Sequence, residues 1–417
     1  MADNTKLNTE PYKGVRDFYP KDMYIQRYIF DTMSRVVEGF GYTEYGASIL
    51  EPTELYQSKT SNEIVHEQTY TFTDRGDRSV TLRPEMTPTL ARMIAGKRND
   101  LVLPLRWYSI PNVFRYERPQ RGRVREHWQL NADIFGVASI DAEVEIISLA
   151  STLMKTFGAK EEDFEIRISD RRVLTTLFEE FAISKEVQAQ TMRLLDKREK
   201  IEDFDAQLTE LLGEHAEAFT ERLSRTSSST DLESVCAQLK TLGVTNVIID
   251  TSIVRGFDYY TGVVFEVFDT SEENNRSLFG GGRYDNLLEL FGGESIPAVG
   301  FGMGDVTIAD FLGTHNLLPE YSARTELYLC TLTQEAKAYA QALALKLREQ
   351  DINAEVSLSD KKVGDQIKIA DKKQIPFVIC IGEDEMKNDT VTIKHLESGE
   401  SETLKEDALV DYIFSKV

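Results

Sequence analysis

The sequence is short of cysteine, of histidine and of positive charge. Three cysteines (Cys236, Cys330, Cys380) are spread over 417 residues, too few and too far apart for a disulfide framework or a protein-bound zinc. Cys330 and Cys380 sit inside apolar runs, as buried reduced thiols do. Five scattered histidines add no metal-ligand spacing, so no residue is assigned to a metal. No apolar run approaches the roughly 20 residues that cross a bilayer. The opening "MADNTKLNTE" lacks the apolar core of a signal peptide. The expectation is a cytoplasmic protein with no membrane partner. Lysine and arginine number 48 against 70 aspartates and glutamates, a net charge of −22. That excludes a protein that coats nucleic acid non-specifically. A P-loop is absent as well: "FGGGRYDNLLELFGG" (279–293) has the glycines without the Gly-Lys-Ser/Thr ending. No internal repeat or low-complexity tract is present.

What is there is a chain with 41% hydrophobic residues, long enough for two or three domains with real cores. Ile25, Ile29, Met33 and Val36–Val37 recur at helical spacing and predict a helix over 20–40, stopped by Gly39 and Gly41. "SVTLRPE" (79–85) begins as an alternating strand, and 141–157 returns to helical spacing with Asp141 as its cap. Residues 171–245 are rich in Glu, Lys, Leu and Ala and read as a mostly helical insertion, broken by "SRTSSSTD" (224–231). A boundary falls in "THNLLPEYSARTE" (314–326), dividing 1–325 from 326–417. Beyond it, "ELYLCT", "IPFVICIG" and "TVTIKHL" are strands alternating with a helix over 332–350 that starts at "TLTQ". That alternation predicts a small α/β domain with a mixed or parallel sheet.

Positive charge is concentrated where the rest of the chain is acidic. In "NVFRYERPQRGRVREHWQLNADIFG" (112–136), Arg115, Arg118, Arg121, Arg123 and Arg125 fall within eleven positions. Alternation along 127–135 puts His127, Gln129, Asn131, Asp133 and Phe135 on one face and Trp128, Leu130, Ala132 and Ile134 on the other. An antiparallel hairpin centred on Gly122 would pair Arg115 with Gln129 and Glu117 with His127. The expected product is a polar sheet face beneath a mobile cationic flap carrying four arginines. Guanidinium forks on such a flap match phosphate oxygens; a solvated hairpin with a charged tip is the bland alternative. "LRPEMTPTLAR" (82–92) places Glu85 and Thr87 between a strand and an apolar run, and a plain helix start explains it equally. In "VRGFDYYTGVVFEVF" (254–268), Arg255, Asp258, Tyr259 and Tyr260 precede a long strand, the composition of a small-molecule pocket or of a Gly turn with a surface arginine.

Together these segments resemble the histidyl-tRNA synthetases, a class II aminoacyl-tRNA synthetase family. "GVRDFYP" is similar to the family's opening signature, "LRPEMTPTLAR" to its amino-group segment, and the arginine-rich stretch to class II motif 2. "RGFDYYTGVVFE" and "GGGRYDNLL" are similar to the two histidyl-specific signatures. The resemblance implies an α+β catalytic domain on an antiparallel sheet of six or seven strands, with a helical insertion and a C-terminal α/β anticodon-binding domain. It also implies a homodimer that takes L-histidine, ATP with Mg2+, and tRNA(His). Arg115 and Arg255 would meet the α-phosphate, and Gln129, counted with them as catalytic, would lie near the residues that hold the histidine amino group. Glu117 and Arg123 would hold the rest of ATP. Glu85, Met86 and Thr87 would hold the histidine amino group, and Tyr259, Tyr260 and Tyr284 would line the imidazole pocket. Asp133 stands where the family has Glu, as acceptor of a ring N–H.

One departure is large. The family pattern Gly-apolar-Glu-Arg, whose arginine stacks on adenine, reads Gly304-Asp305-Val306-Thr307 here. A non-catalytic regulatory subunit of ATP phosphoribosyltransferase is therefore the alternative reading. The lysine-rich run "KKVGDQIKIADKK" (361–373), with Lys361, Lys362 and Lys368, is the candidate tRNA contact, or else a solvated helix face.

Overall fold

Apolar residues at helical spacing decide the first element. The helix Pro20–Gly39 opens with proline at its first position, where the missing N–H costs nothing, and buries Ile29, Met33, Val36 and Val37 along one stripe. The structure, a computed structural model, describes residues 7–57, 68–196, 201–225, 229–251, 253, 259–274 and 276–416. The chain divides into two units, Met1–Pro319 and Glu320–Val417.

In chain order the N-terminal unit contributes β1 (Thr43–Glu44), β2 (Leu50–Pro52), β3 (Tyr70–Thr73), β4 (Ser79–Leu82), β5 (Leu105–Ser109) and β6 (Asn112–Phe114). β7 (Glu126–Phe135), β8 (Phe164–Asp170), β9 (Val247–Ile249), β10 (Val263–Asp269), β11 (Ser277–Arg283) and β12 (Ala298–Gly304) follow. Six strands in the order β5-β7-β12-β11-β10-β8 pair antiparallel. β1 joins β5 and β9 joins β8 in parallel, so the edges make the sheet mixed. β2, β4 and β3 form a separate antiparallel sheet.

One face of the large sheet is apolar. Leu130, Ala132 and Ile134 of β7 lie in one core with Met33 of the first helix and Ile147 and Leu153 of the helix Asp141–Thr156. Asp141 does not cap that helix; it is its first residue, preceded by Ile140, and accepts a hydrogen bond from the Ser139 hydroxyl at 2.7 Å. Its charge favours the helix N-terminus from inside the first turn. With this face closed by helices, the polar face of β7 is left to form the site.

The insertion is helical, as its composition predicts: Arg171–Glu180, Lys185–Asp196, Phe204–Leu212, Ala216–Arg225 and Thr230–Thr241. The first four share a core of their own, with the rings of Phe178 and Phe219 stacked at 5.4 Å. The fifth, capped by the Ser229 side chain, instead sends Leu232, Val235 and Leu239 into the core of the large sheet. Amphipathic spacing reveals the buried stripe of a helix but not its partner.

In the C-terminal unit, β13 (Leu327–Thr331) lies between β14 (Ala354–Val356) and β15 (Phe377–Ile381), parallel to both; β16 (Thr390–His395) and β17 (Ser401–Lys405) continue antiparallel. The helix Gln334–Arg348 starts at Thr333, whose side chain accepts the Ala336 N–H at 3.1 Å. Among the described residues no helix is long and apolar enough to cross a membrane.

Candidate active site

The polar residues of β7 form the floor of a cavity of about 270 Å³. His127, Gln129, Asn131 and Asp133 line it in succession, as strand alternation predicts. The neighbouring strand β12 gives them room. Gly300 pairs with Asp133 and Gly302 with Asn131. A Cβ at Gly300 would fall 2.0 Å from the Asp133 Oδ1, and one at Gly302 would fall 1.6 Å from the Gln129 Nε2. Both polar side chains therefore lie flat across a strand that has none of its own at those points.

The Asp133 end is buried and built from tyrosines. The Tyr284 hydroxyl donates to Asp133 Oδ1 at 2.5 Å, and the Tyr259 hydroxyl donates to Glu85 Oε2 at 3.1 Å. The three rings of Tyr259, Tyr260 and Tyr284 contact one another with centroids 5.1–6.5 Å apart. Burial pushes the Asp133 carboxyl up to about 7, against the lowering effect of the Tyr284 hydrogen bond. Burial also holds the three tyrosine hydroxyls above their usual range, so they stay neutral donors. Tyr284 is fixed by its neighbours: Arg283 forks onto Glu143 at 2.6 Å and reaches Asp285 at 3.3 Å. Only the tyrosine of "GRYDN" enters the cavity; Arg283 turns to Glu143 and to the Val137 and Ser139 carbonyls, and Asp285 accepts the Ala298 N–H at 3.3 Å.

The other end is cationic. Arg115, Glu117 and Arg123 line it, and Arg123 pairs with Glu117 at 3.2 Å. The Arg115 Nε donates to the Pro84 carbonyl at 2.9 Å, which ties the arginine to the segment bearing Glu85. His127 is the aromatic ring of this end. Burial together with the Arg115 and Arg16 guanidinium groups pushes it down to about 3, so it is neutral at physiological pH.

The hairpin register differs from the sequence-based expectation. Val113 pairs with His127 and Phe114 with Glu126, so Arg115 and Glu117 do not stand opposite Gln129 and His127. β6 is only three residues long, and the chain leaves the sheet at Arg115. Nor do four arginines ride a free flap. Arg121 pairs with Asp310 at 2.9 Å on the helix Asp305–Thr314. Arg125 is buried, with Tyr116 beneath its guanidinium at 3.9 Å. Two of the loop's arginines thus hold the loop, and Arg123 faces the cavity.

The remaining predicted positions sort as follows. Glu85, Thr87, Arg115, Glu117, Arg123, Gln129, Asp133, Tyr259, Tyr260 and Tyr284 come together around this cavity. Met86 does not line it; it is 1% exposed and its carbonyl begins the helix Thr87–Lys97 by accepting the Leu90 N–H. Arg255 lies outside the described residues. Lys361, Lys362 and Lys368 are exposed on the C-terminal unit, at and within the helix Val363–Lys372, with Lys368 paired to Asp365 at 3.3 Å. Thr307 lines the cavity, and its hydroxyl donates to the Leu278 and Gly304 carbonyls at 2.8 and 3.1 Å. His127, Asn131 and the anchoring role of Arg125 escaped the motif reading; alternation placed the first two on the right face, while nothing local marks the third. Among the described residues no group of three His, Cys, Asp or Glu side chains is arranged to hold a metal.

The histidyl-tRNA synthetase family model matches residues 14–306, and the anticodon binding domain model matches 326–416. The chain belongs to the histidyl-tRNA synthetase family. A family member from Leptospira biflexa, "Histidine--tRNA ligase", is 44% identical over 412 residues, covering 94% of each chain. The histidyl-tRNA synthetase of Nostoc sp. PCC 7120 superposes with a TM-score of 0.81 at 25% identity, over 99% of this chain and all of the other. A Bacillus halodurans protein described as "ATP phosphoribosyltransferase regulatory subunit/histidyl-tRNA synthetase" shares the fold, with a TM-score of 0.73 at 22% identity, over 90% of this chain and 99% of the other.

Proposed function

We propose that this cavity activates L-histidine with ATP to histidyl-adenylate, and that the enzyme then transfers histidine to the 3′ end of tRNA(His). The protein is a histidine–tRNA ligase. The observation that carries this reading is the two-ended cavity over β7: a buried carboxylate among tyrosines at one end, and at the other an opening lined by Arg115 and Arg123 of the β6–β7 connection.

At the buried end, Asp133 accepts an imidazole N–H. Glu85 and Thr87 hold the α-ammonium, Tyr259 orients the Glu85 carboxylate, and Tyr260 and Tyr284 close the pocket. A site built from polar partners rejects an amino acid that lacks them by orders of magnitude, because its own buried groups are left unpaired. ATP enters with Mg2+ at the cationic end, its adenine against the neutral His127 ring and near Glu117, its distal phosphates toward Arg123. The histidine carboxylate attacks the α-phosphorus in line, and pyrophosphate leaves. Two anions must approach for this step, so cations fixed beforehand at the α-phosphate stabilise the transition state more than the ground state. Arg115 is one; Arg255 is assigned as the second by the family pattern. Gln129 lies beneath the junction and orients the carboxylate. No covalent enzyme intermediate is required.

In the C-terminal domain, Lys361, Lys362 and Lys368 give the acidic protein a local surface for the tRNA backbone. The enzyme is read as a cytoplasmic homodimer. The regulatory-subunit alternative is disfavoured by the match of an anticodon binding domain over 326–416. The deciding test is histidine-dependent ATP–pyrophosphate exchange with purified protein and Mg2+. No exchange under saturating histidine and ATP defeats the ligase reading.

A further inference from the structure

The loop carrying Glu117 and Arg123 is fastened from outside the cavity by a segment with no assigned role. Tyr12–Phe18 runs alongside it. The Arg125 N–H donates to the Gly14 carbonyl at 2.7 Å, and the Arg125 Nη1 donates to the Tyr12 hydroxyl at 3.1 Å. The same guanidinium lies 5.5 Å from the Tyr12 ring and 3.9 Å from the Tyr116 ring, and its Nε donates to the Glu117 carbonyl at 3.2 Å. One buried cation thus joins the N-terminal segment to the backbone of a residue that lines the cavity. The contact is tight. Gly14 has φ +89°, and a Cβ there would fall 2.8 Å from Pro119 Cγ and 2.9 Å from Arg125 Cδ.

The segment has a second fastening. Arg16 Nη2 pairs with Asp305 Oδ2 at 2.8 Å, and the other Asp305 oxygen accepts the Trp128 N–H at 3.0 Å. Asp305 is buried and opens the helix that carries Thr307. Phe18 reinforces the joint, edge-on to Trp128 at 5.5 Å and beneath the Arg16 guanidinium at 4.9 Å. The segment therefore ties three elements that meet at the cationic end of the cavity: the loop, strand β7 and the helix Asp305–Thr314.

We propose that Tyr12–Phe18 is a positioning strap for the nucleotide loop, with Gly14, Arg16 and Arg125 as positioning residues that set Glu117 and Arg123 without touching ATP. This rests on the reading that the cationic end binds ATP. The strap fixes the loop before ATP arrives, so less ordering entropy is lost on binding. Histidine, bound at the far end against residues the strap does not contact, is insulated from it.

The test measures KM for both substrates in pyrophosphate exchange for Gly14→Ala, Arg16→Met and Arg125→Met. Hydrogen–deuterium exchange of residues 115–125 is measured without substrates. Expected are a KM for ATP raised about tenfold or more, as removal of pre-organised contacts gives, a KM for histidine within about twofold, and faster amide exchange across the loop. Arg125→Lys, which keeps the charge but lacks the fork, should fall between wild type and Arg125→Met. Gly14→Ala carries the test alone if Arg125→Met does not fold. Unchanged loop exchange, an unchanged KM for ATP, or both KM values rising together overturns the strap. Wild-type protein without any exchange activity overturns the ligase reading instead, and the amide-exchange arm then decides the strap by itself.

Discussion

Asp133→Asn should stabilise the empty enzyme and cripple it. In the folded protein the carboxyl is lifted from 3.8 to about 7 by burial. A raised carboxyl means that the folded state holds its proton more tightly than the unfolded chain does. The cost to stability is absent below about pH 4, grows as pH rises to about 7, and is constant above that. A rise of that size corresponds to about 4 kcal/mol, an upper figure for a group whose pocket relaxes. Asparagine keeps the shape and can still accept from the Tyr284 hydroxyl, yet carries no charge. Melting temperatures of both proteins, followed by circular dichroism from pH 4.5 to 8.5 without ligand, should lie closest at the acid end. They should separate by up to about 6 °C in favour of the variant at pH 7 and above. Histidine binding should show the reverse. Loss of a charged acceptor costs about 1.5–3 kcal/mol, so KM for histidine should rise between about 10- and 150-fold, with KM for ATP unchanged. Wild-type KM for histidine should also climb below pH 7 as Asp133 is protonated. Free histidine titrates in the same range, but its effect is common to both proteins and cancels in their ratio. Melting curves that stay parallel across the pH range would refute a buried carboxylate strained by its own charge.

Three further outcomes are expected. Gly302→Ala pushes the Gln129 amide from its place, since the new Cβ would lie 1.6 Å from Nε2. It should lower kcat/KM for histidine by about 10²-fold, the usual cost of ångström-scale misplacement, with little change in melting temperature; wild-type exchange kinetics would refute it. Lys361→Glu with Lys362→Glu should raise KM for tRNA about fivefold or more at low salt while leaving pyrophosphate exchange intact, and equal aminoacylation at limiting tRNA would remove the proposed contact. Arg115→Ala and Arg255→Ala should each lower exchange kcat by about 10²–10³-fold with folding intact, and near-normal rates in either would remove that arginine from the chemistry.

The sheet floor was legible because a two-residue period needs no tertiary information. Once β7 exists, His127, Gln129, Asn131 and Asp133 share a face whatever lies beside them. The boundary helices were legible for the same reason: the apolar stripe of Pro20–Gly39 is written at its own period. What local pattern could not give was partnership. Tyr284 meets Asp133 across 151 residues, and Arg125 meets Tyr12 across 113. The first pair was brought together only by family resemblance; the second carried no signal, since a buried arginine and a phosphate-binding one look alike in the sequence. The hairpin failed on length. Pairing extrapolated from Gly122 assumes strands that run to the turn, whereas β6 ends at Phe114 and the loop is held by side chains from elsewhere.

That same loop gives the missing arginine at position 307 a physical context. The residues found in its place are all engaged. Asp305 ties Arg16 to the Trp128 N–H, Val306 lines the cavity, and the Thr307 hydroxyl closes on two carbonyls. A Cβ at Gly122 would lie 4.0 Å from the Thr307 methyl and 3.9 Å from Arg276 Nη1, and Arg276 in turn donates to the Arg121 carbonyl. A guanidinium at 307 would thus be added where the loop already packs, beside the exposed Arg276. On the proposed reading the adenine meets a neutral imidazole at His127 in place of a cation. The cation–π contribution given up is about 0.5–2 kcal/mol. A loop fixed in advance, at Arg121 on one side and Arg125 on the other, spares about 0.5–1.5 kcal/mol for each side chain that ATP would otherwise have to order. The two magnitudes are comparable, so an enzyme of this family can lose the stacking arginine and keep its nucleotide, provided the loop is held.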